Sequence, residues 1–158
     1  MTVEELLARE SIRHTIASYN MAGDRLRMDE FIAVFTEDAI LESDGVPEKD
    51  AFRHVGSQAI RAWFTRWGRG SREAEPVHQA KFIRHHLSTC QIELTGPDTA
   101  KARTYWVAYT DIGPDHCGYY VDAFRKTGER WLISHRKVRL DWKNAGSLYS
   151  SAIVKLWQ

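Results

Sequence analysis

Phe82-Ile83-Arg84-His85-His86-Leu87-Ser88-Thr89-Cys90-Gln91-Ile92-Glu93-Leu94 is the first of four β-rich stretches that fill the second half of the chain. Ala100 to Ile112, Gly118 to Arg125 and Arg130 to Trp142 follow it. The breaks between them carry turn residues: Gly96-Pro97-Asp98, Gly113-Pro114-Asp115 and Thr127-Gly128-Glu129. Short breaks between long strands predict antiparallel neighbours joined as a meander.

Upstream the pattern is helical. From Thr2 to about Gly23, Leu6, Leu7, Ile12, Ile16 and Tyr19 recur every three or four residues, and Glu5 can complete a capping box on Thr2. Gly23 supplies a stop, which places Asp24 in the link to a second short helix, Met28 to Phe35, capped by Asp29 or just before it. Ala39-Ile40-Leu41 and Ala51 to Val55 are strand-like, and Ser57 caps a third helix with Ala59, Ile60, Trp63, Phe64 and Trp67 on its apolar face. Gly68 and Gly70 are expected to end it, and Ser71 to Gln79, with Pro76, to form a loop. Helices first and strands after predict an α+β fold, three N-terminal helices packed on one face of a curved, mostly antiparallel sheet.

The 158 residues suit a single domain spanning 1–158, and 43% hydrophobic with 27% charged residues is an ordinary globular balance. The net charge of +1, with both signs interspersed, favours neither nucleic acid nor an anionic membrane as partner. Arg66, Arg69 and Arg72 read as solvated surface. Cys90 and Cys117 fit free thiols, and the acidic start, Glu4 and Glu5, is unlike a signal peptide, so a reducing cytoplasm is expected. The tail Leu148 to Gln158 is apolar enough to suggest a homodimer or homotrimer.

The helical start with Ile12, Arg13, Tyr19 and Asp24, the segment Arg84-His85-His86-Leu87-Ser88-Thr89, the strand Ile92-Glu93-Leu94, the turn and Thr99-Ala100, and the closing Gly128-Glu129-Arg130-Trp131-Leu132-Ile133 together resemble the SnoaL-like branch of the nuclear transport factor 2-like superfamily. Thr89 stands where that family usually has Asn. The resemblance covers nearly the whole chain and implies a cone-shaped α+β barrel with an apolar pocket. Its catalytic members of this type are dehydratases and a dehydrochlorinase that use no cofactor. By that resemblance Asp24 and His85 form an acid–base pair, Tyr19 matches an assisting tyrosine, and a last-strand arginine falls close to Arg139, with Arg136 as the alternative.

The chemistry is consistent with those residue types. Imidazole titrates near neutrality and suits proton abstraction, and a carboxylate on its other nitrogen fixes the tautomer and stabilises the imidazolium. Successive strand residues point to opposite faces, so only one of His85 and His86 can face inward in a regular strand. Alternation leaves the choice open, because His85 shares parity with Gln91 and Glu93, unless a bulge intervenes; the family offset selects His85. Trp63, Phe64, Trp67, His86, Tyr105 and Tyr120 are candidate substrate-binding residues, which points to a small hydrophobic, flat-ringed ligand. His54, His78, His116 and His135 lack carboxylates at ligand spacing and read as exposed or satisfied side chains, so no metal and no cofactor is expected. The function anticipated is a cofactor-independent lyase, with an isomerase or cyclase, or a non-catalytic binding or subunit role, as alternatives.

Overall fold

The structure, a computed structural model, describes residues 1–48, 51–73 and 80–148, with the backbone alone for 67–73. Helix α1 (Val3–Gly23) begins as its sequence dictates: Thr2 accepts from the Glu5 backbone N–H, and the Glu5 carboxylate accepts from the Thr2 N–H. Helix α2 spans only Met28–Ile32, with Arg27 at its N-cap and no side-chain cap. The chain then enters β1 (Phe35–Asp44), so the second helix is shorter than its periodicity predicts. The apolar run Phe31, Val34 and Phe35 is buried in either geometry, and periodicity cannot separate a helix from a buried strand there.

Strand β2 (Arg53–Val55) pairs antiparallel with β1, and α3 (Ser57–Glu73) follows. The helix runs through Gly68 and Gly70, because glycine weakens a helix by about 1 kcal/mol per residue without ending it. Of the loop expected over Ser71 to Gln79, residues 71–73 belong to α3 and 74–79 lie outside the described residues, as does the tail from residue 149. The meander is β3 (Arg84–Leu94), β4 (Thr99–Thr110), β5 (Gly113–Thr127) and β6 (Arg130–Lys143). Gly113 (φ +89°) and Gly128 (φ +62°) take the left-handed turn positions that open β5 and precede β6.

Among the described residues six strands form one sheet in the order β2-β1-β6-β5-β4-β3, in which only the β1–β6 pair is parallel. The sheet curves around the helices without closing, since β2 and β3 have no partner on their outer edges among the described residues. Helix α1 packs over β3 and β6, and α3 over β1 and β2. Ile12, Ile16, Phe31, Leu41, Ile60, Phe124 and Ile133 fill the space between the layers, each burial worth about 1.5–3 kcal/mol.

Bulges decide which side chains face that interior. One between Leu87 and Cys90 adds a residue to β3, so His85 and Leu87 share the inner face with Cys90, Ile92 and Leu94. On β6, extra residues between Ile133 and His135 and between Leu140 and Trp142 make Arg136, Val138 and Leu140 the inward cross-strand partners of Asp122, Tyr120 and Gly118. Gly118 is dictated by close approach: a Cβ there would lie 2.0 Å from the Arg139 backbone oxygen.

Candidate active site

Asp24 and His85 meet where the end of α1 reaches the start of β3. The Arg27 N–H returns to the Ala22 carbonyl (2.9 Å) and the Leu26 N–H to that of Gly23 (3.1 Å), a Schellman closure with Leu26 in the left-handed region (φ 55°). Helix α1 ends at Gly23 as expected, with Leu26 as the left-handed residue of the closure, and Gly23 lies against the Phe31 ring. This keeps Asp24, the C-cap that opens the link to α2, in helical backbone (φ −60°, ψ −20°).

Asp24 accepts two hydrogen bonds from one residue. The His85 backbone N–H donates to Oδ2 at 2.9 Å, and Nδ1 lies 2.5 Å from Oδ1. The pair fixes the proton on Nδ1 and leaves Nε2 with its lone pair. Nε2 makes no hydrogen bond to any described residue, and the imidazole keeps 21% of its surface exposed against 8% for the Asp24 side chain. A carboxylate at the negative end of a helix, with no basic residue in the last turn, is poorly placed for stability, and the His85 imidazole is its partner.

Aromatic rings wall the dyad. Trp106 lies edge-on to His85 (5.6 Å between centroids) and stacks on Tyr120 (5.7 Å). Behind them the Arg136 guanidinium is sandwiched 4.0 Å from both the Tyr19 and Tyr120 rings and makes a bidentate pair with Asp122, 2.7 Å in each bond. Burial opposes the Arg136 charge, but Asp122 more than offsets it and holds the guanidinium protonated. Burial, helped by Tyr19, pushes the Tyr120 phenol well above its usual range, and its O–H donates to Asn20 Oδ1 at 2.9 Å.

The other expected residues separate cleanly. Tyr19 is buried beside Arg136 and Phe31. Phe64 stacks on Phe31 at 4.1 Å within the core, and Trp63, half-buried, stacks on Phe52 at 5.1 Å with His54 at 5.4 Å. The Trp67 side chain lies outside the described residues. His86, Tyr105 and Arg139 all lie on the sheet face that the helices do not cover. His86 packs on Tyr109, Tyr105 on Tyr119, and Arg139, the cross-strand partner of Tyr119, pairs with Asp44 (3.5 Å) and Asp141 (3.2 Å). Strand alternation puts them there, and the β6 bulges give Arg136 the inward place that simple spacing offers to Arg139.

Sequence reasoning missed Asp122, Asn20 and the pair Asp115–His116. Asp115 is an extra residue in β5, between the pairings Ala108 with His116 and Tyr109 with Pro114. The bulge turns its carboxylate inward, fully buried, beside its neighbour's ring: His116 Nδ1 donates to Oδ1 at 2.8 Å. Burial works against the Asp115 charge, but the Ser147 hydroxyl, the Leu148 N–H, His116 and the Thr110 hydroxyl together hold it below the ordinary carboxylate range. The one signal in the sequence was an Asp-His step opening a strand after Gly-Pro. Among the described residues no group of three or more His, Cys, Asp or Glu is placed to hold a metal ion.

Solved structures with the same architecture have low identity and therefore speak to the fold. A protein of Novosphingobium aromaticivorans provisionally named a scytalone dehydratase matches with TM-score 0.75 at 21% identity, over 98% of this chain and 95% of that one. The type 3 hexachlorocyclohexane dehydrochlorinase of Novosphingobium barchaimii matches with TM-score 0.70 at 12% identity, over 90% and 92%. A protein of Novosphingobium aromaticivorans provisionally named the β subunit of an aromatic-ring-hydroxylating dioxygenase matches with TM-score 0.69 at 18% identity, over 94% and 99%. No curated protein matches the sequence. The SnoaL-like domain matches residues 4–137, from the first turn of α1 into the last strand. The chain belongs to the SnoaL-like domain family, within the nuclear transport factor 2-like superfamily.

Proposed function

We propose that this protein is a cofactor-independent acid–base enzyme in which His85 removes a proton from carbon and Asp24 orients and stabilises the resulting imidazolium. The observation that carries this reading is the Asp24–His85 geometry: both carboxylate oxygens engage one histidine, Nδ1 is committed at 2.5 Å, and Nε2 has no hydrogen-bond partner among the described residues. The rings of Trp106, Tyr120 and Tyr19 nearby favour a flat, hydrophobic substrate. Its acidic C–H would be adjacent to a carbonyl or to a leaving group such as hydroxide or halide. The last case makes the enzyme a lyase, the class named for two of the structural neighbours.

A second reading, isomerisation, is favoured by a specific feature. The groups that could assist departure of a leaving group are already engaged, Tyr120 with Asn20 and Arg136 with Asp122. An isomerase needs only to return the proton to another carbon. Product mass separates the two, being unchanged for an isomerase and reduced by a fragment for a lyase. A purely structural subunit role, suggested by the dioxygenase neighbour, has no use for a committed Asp–His pair.

The test is exchange of Asp24 for Asn and of His85 for Gln, with folding checked by circular dichroism. Turnover of a hit from a panel of ring compounds should fall by about 10²–10⁴ in each variant. Retention of most activity in both would overturn the reading. The sheet face that the helices leave uncovered carries exposed Tyr105 and Trp142, and we include self-association through it in this proposal, to be checked by sedimentation.

A further inference from the structure

The inner face of the sheet carries two Asp–His pairs rather than one. Ala108 on β4 is the cross-strand partner of His85 on β3 and of His116 on β5, so the two histidines stand in one row on either side of a methyl group. Strands two apart are separated by about 10 Å, and with only Ala108 between them the imidazoles close that distance. Their centroids lie 6.2 Å apart with the rings nearly perpendicular (87°), and Trp106 touches both, at 5.6 Å each. Each ring has its Nδ1 on a carboxylate, Asp24 behind His85 and Asp115 behind His116.

We propose that His116 is a second acid–base group of this site, coupled to His85 across Ala108 so that charge on one imidazole opposes charge on the other. Whichever ring is charged repels a second proton from the other. The groups facing His116 act on its charge. Asp115 on its own strand favours its protonation, Lys143, its cross-strand partner on β6, disfavours it, and on β4 it packs against the neutral Trp106 and Ala108. Thr110, Ser147 and the Leu148 N–H draw on the same Asp115 carboxylate and so weaken its hold on the ring. Burial is the largest influence and holds His116 below the ordinary imidazole range, with His85 lowering it further. His116 is the more deeply buried ring and His85 the more exposed. His116 stays neutral beside it, an arrangement that acts on catalysis by setting how readily His85 holds and returns its proton. That use in catalysis rests on the function proposed above; the coupling itself does not.

The experiment is an NMR titration of the histidine rings in the full chain, wild type against His85→Gln and Asp24→Asn. The first variant removes the repelling imidazole; the second keeps both rings but takes away the carboxylate that draws the proton to His85. In His85→Gln the His116 midpoint should move up by about half a pH unit or more, the size of one unit charge acting at this distance through water, and in Asp24→Asn it should move up by less, because a negative charge is lost along with the positive one. An unmoved His116 midpoint in whichever of these variants folds overturns the proposal. No turnover is read, so this result and that of the activity test are independent.

Discussion

Asp24 costs the fold something where it stands, because the carboxylate ends α1 at the negative pole of the helix dipole and, among the described residues, gains its compensation from His85. Asp24→Asn should therefore leave the melting free energy within about 1 kcal/mol of wild type while activity falls by about 10²–10⁴, a split that paired thermal and kinetic measurements read directly. His116 makes a different prediction. Its folded-state pKa lies below the unfolded value of about 6.5, so the unfolded chain binds more protons and stability falls as pH drops below that point. His54, lowered first by burial and then by Arg66, contributes to the same slope. Melting temperature should decline from pH 7 to pH 5, and His116→Gln should flatten the decline; an equally steep fall in the variant would place the effect elsewhere.

At the scale of elements, the account turns on bulges. Asp24 and His85 were legible in the sequence because a family motif and a helix end anchor each. Arg136, by contrast, was hidden behind Arg139, and the inward run of β3 changes parity at Ser88 and Thr89. Alternation assumes an unbroken ladder, and an extra residue is a property of backbone pairing that side-chain hydrophobicity does not encode. The same cause hid Asp115, which a regular strand would turn away from His116. Gly118, in the β6-facing bulge, gives the element-scale test. Gly118→Ala would drive a Cβ into the Arg139 carbonyl, and denaturant unfolding should show a loss of about 1–3 kcal/mol. An unchanged midpoint would mean that the bulge is not held as described.

For the whole molecule, the order of helices and strands was readable from periodicity and turn residues, because layers must bury their apolar faces, whereas the charged centre of the core was not. Arg136 and Asp122 are both buried, the Arg136 guanidinium between the Tyr19 and Tyr120 rings, and the pair ties β5 to β6 beneath α1. Removing one partner leaves an uncompensated buried charge, so Arg136→Met should cost about 3–5 kcal/mol in urea unfolding, and adding Asp122→Leu should recover much of it. This pair sets the shape of the floor on which the dyad's rings rest, which is why its loss should lower activity only together with stability.

The central claim, that His85 backed by Asp24 takes a proton from carbon, is tested most directly by deuterium uptake. Flat hydrophobic compounds with an acidic C–H next to a carbonyl would be incubated with the protein in D₂O and followed by mass spectrometry. Wild type should catalyse uptake into at least one of them, with or without loss of a fragment, and His85→Gln, folded, should not. Equal uptake with the two proteins would contradict that claim.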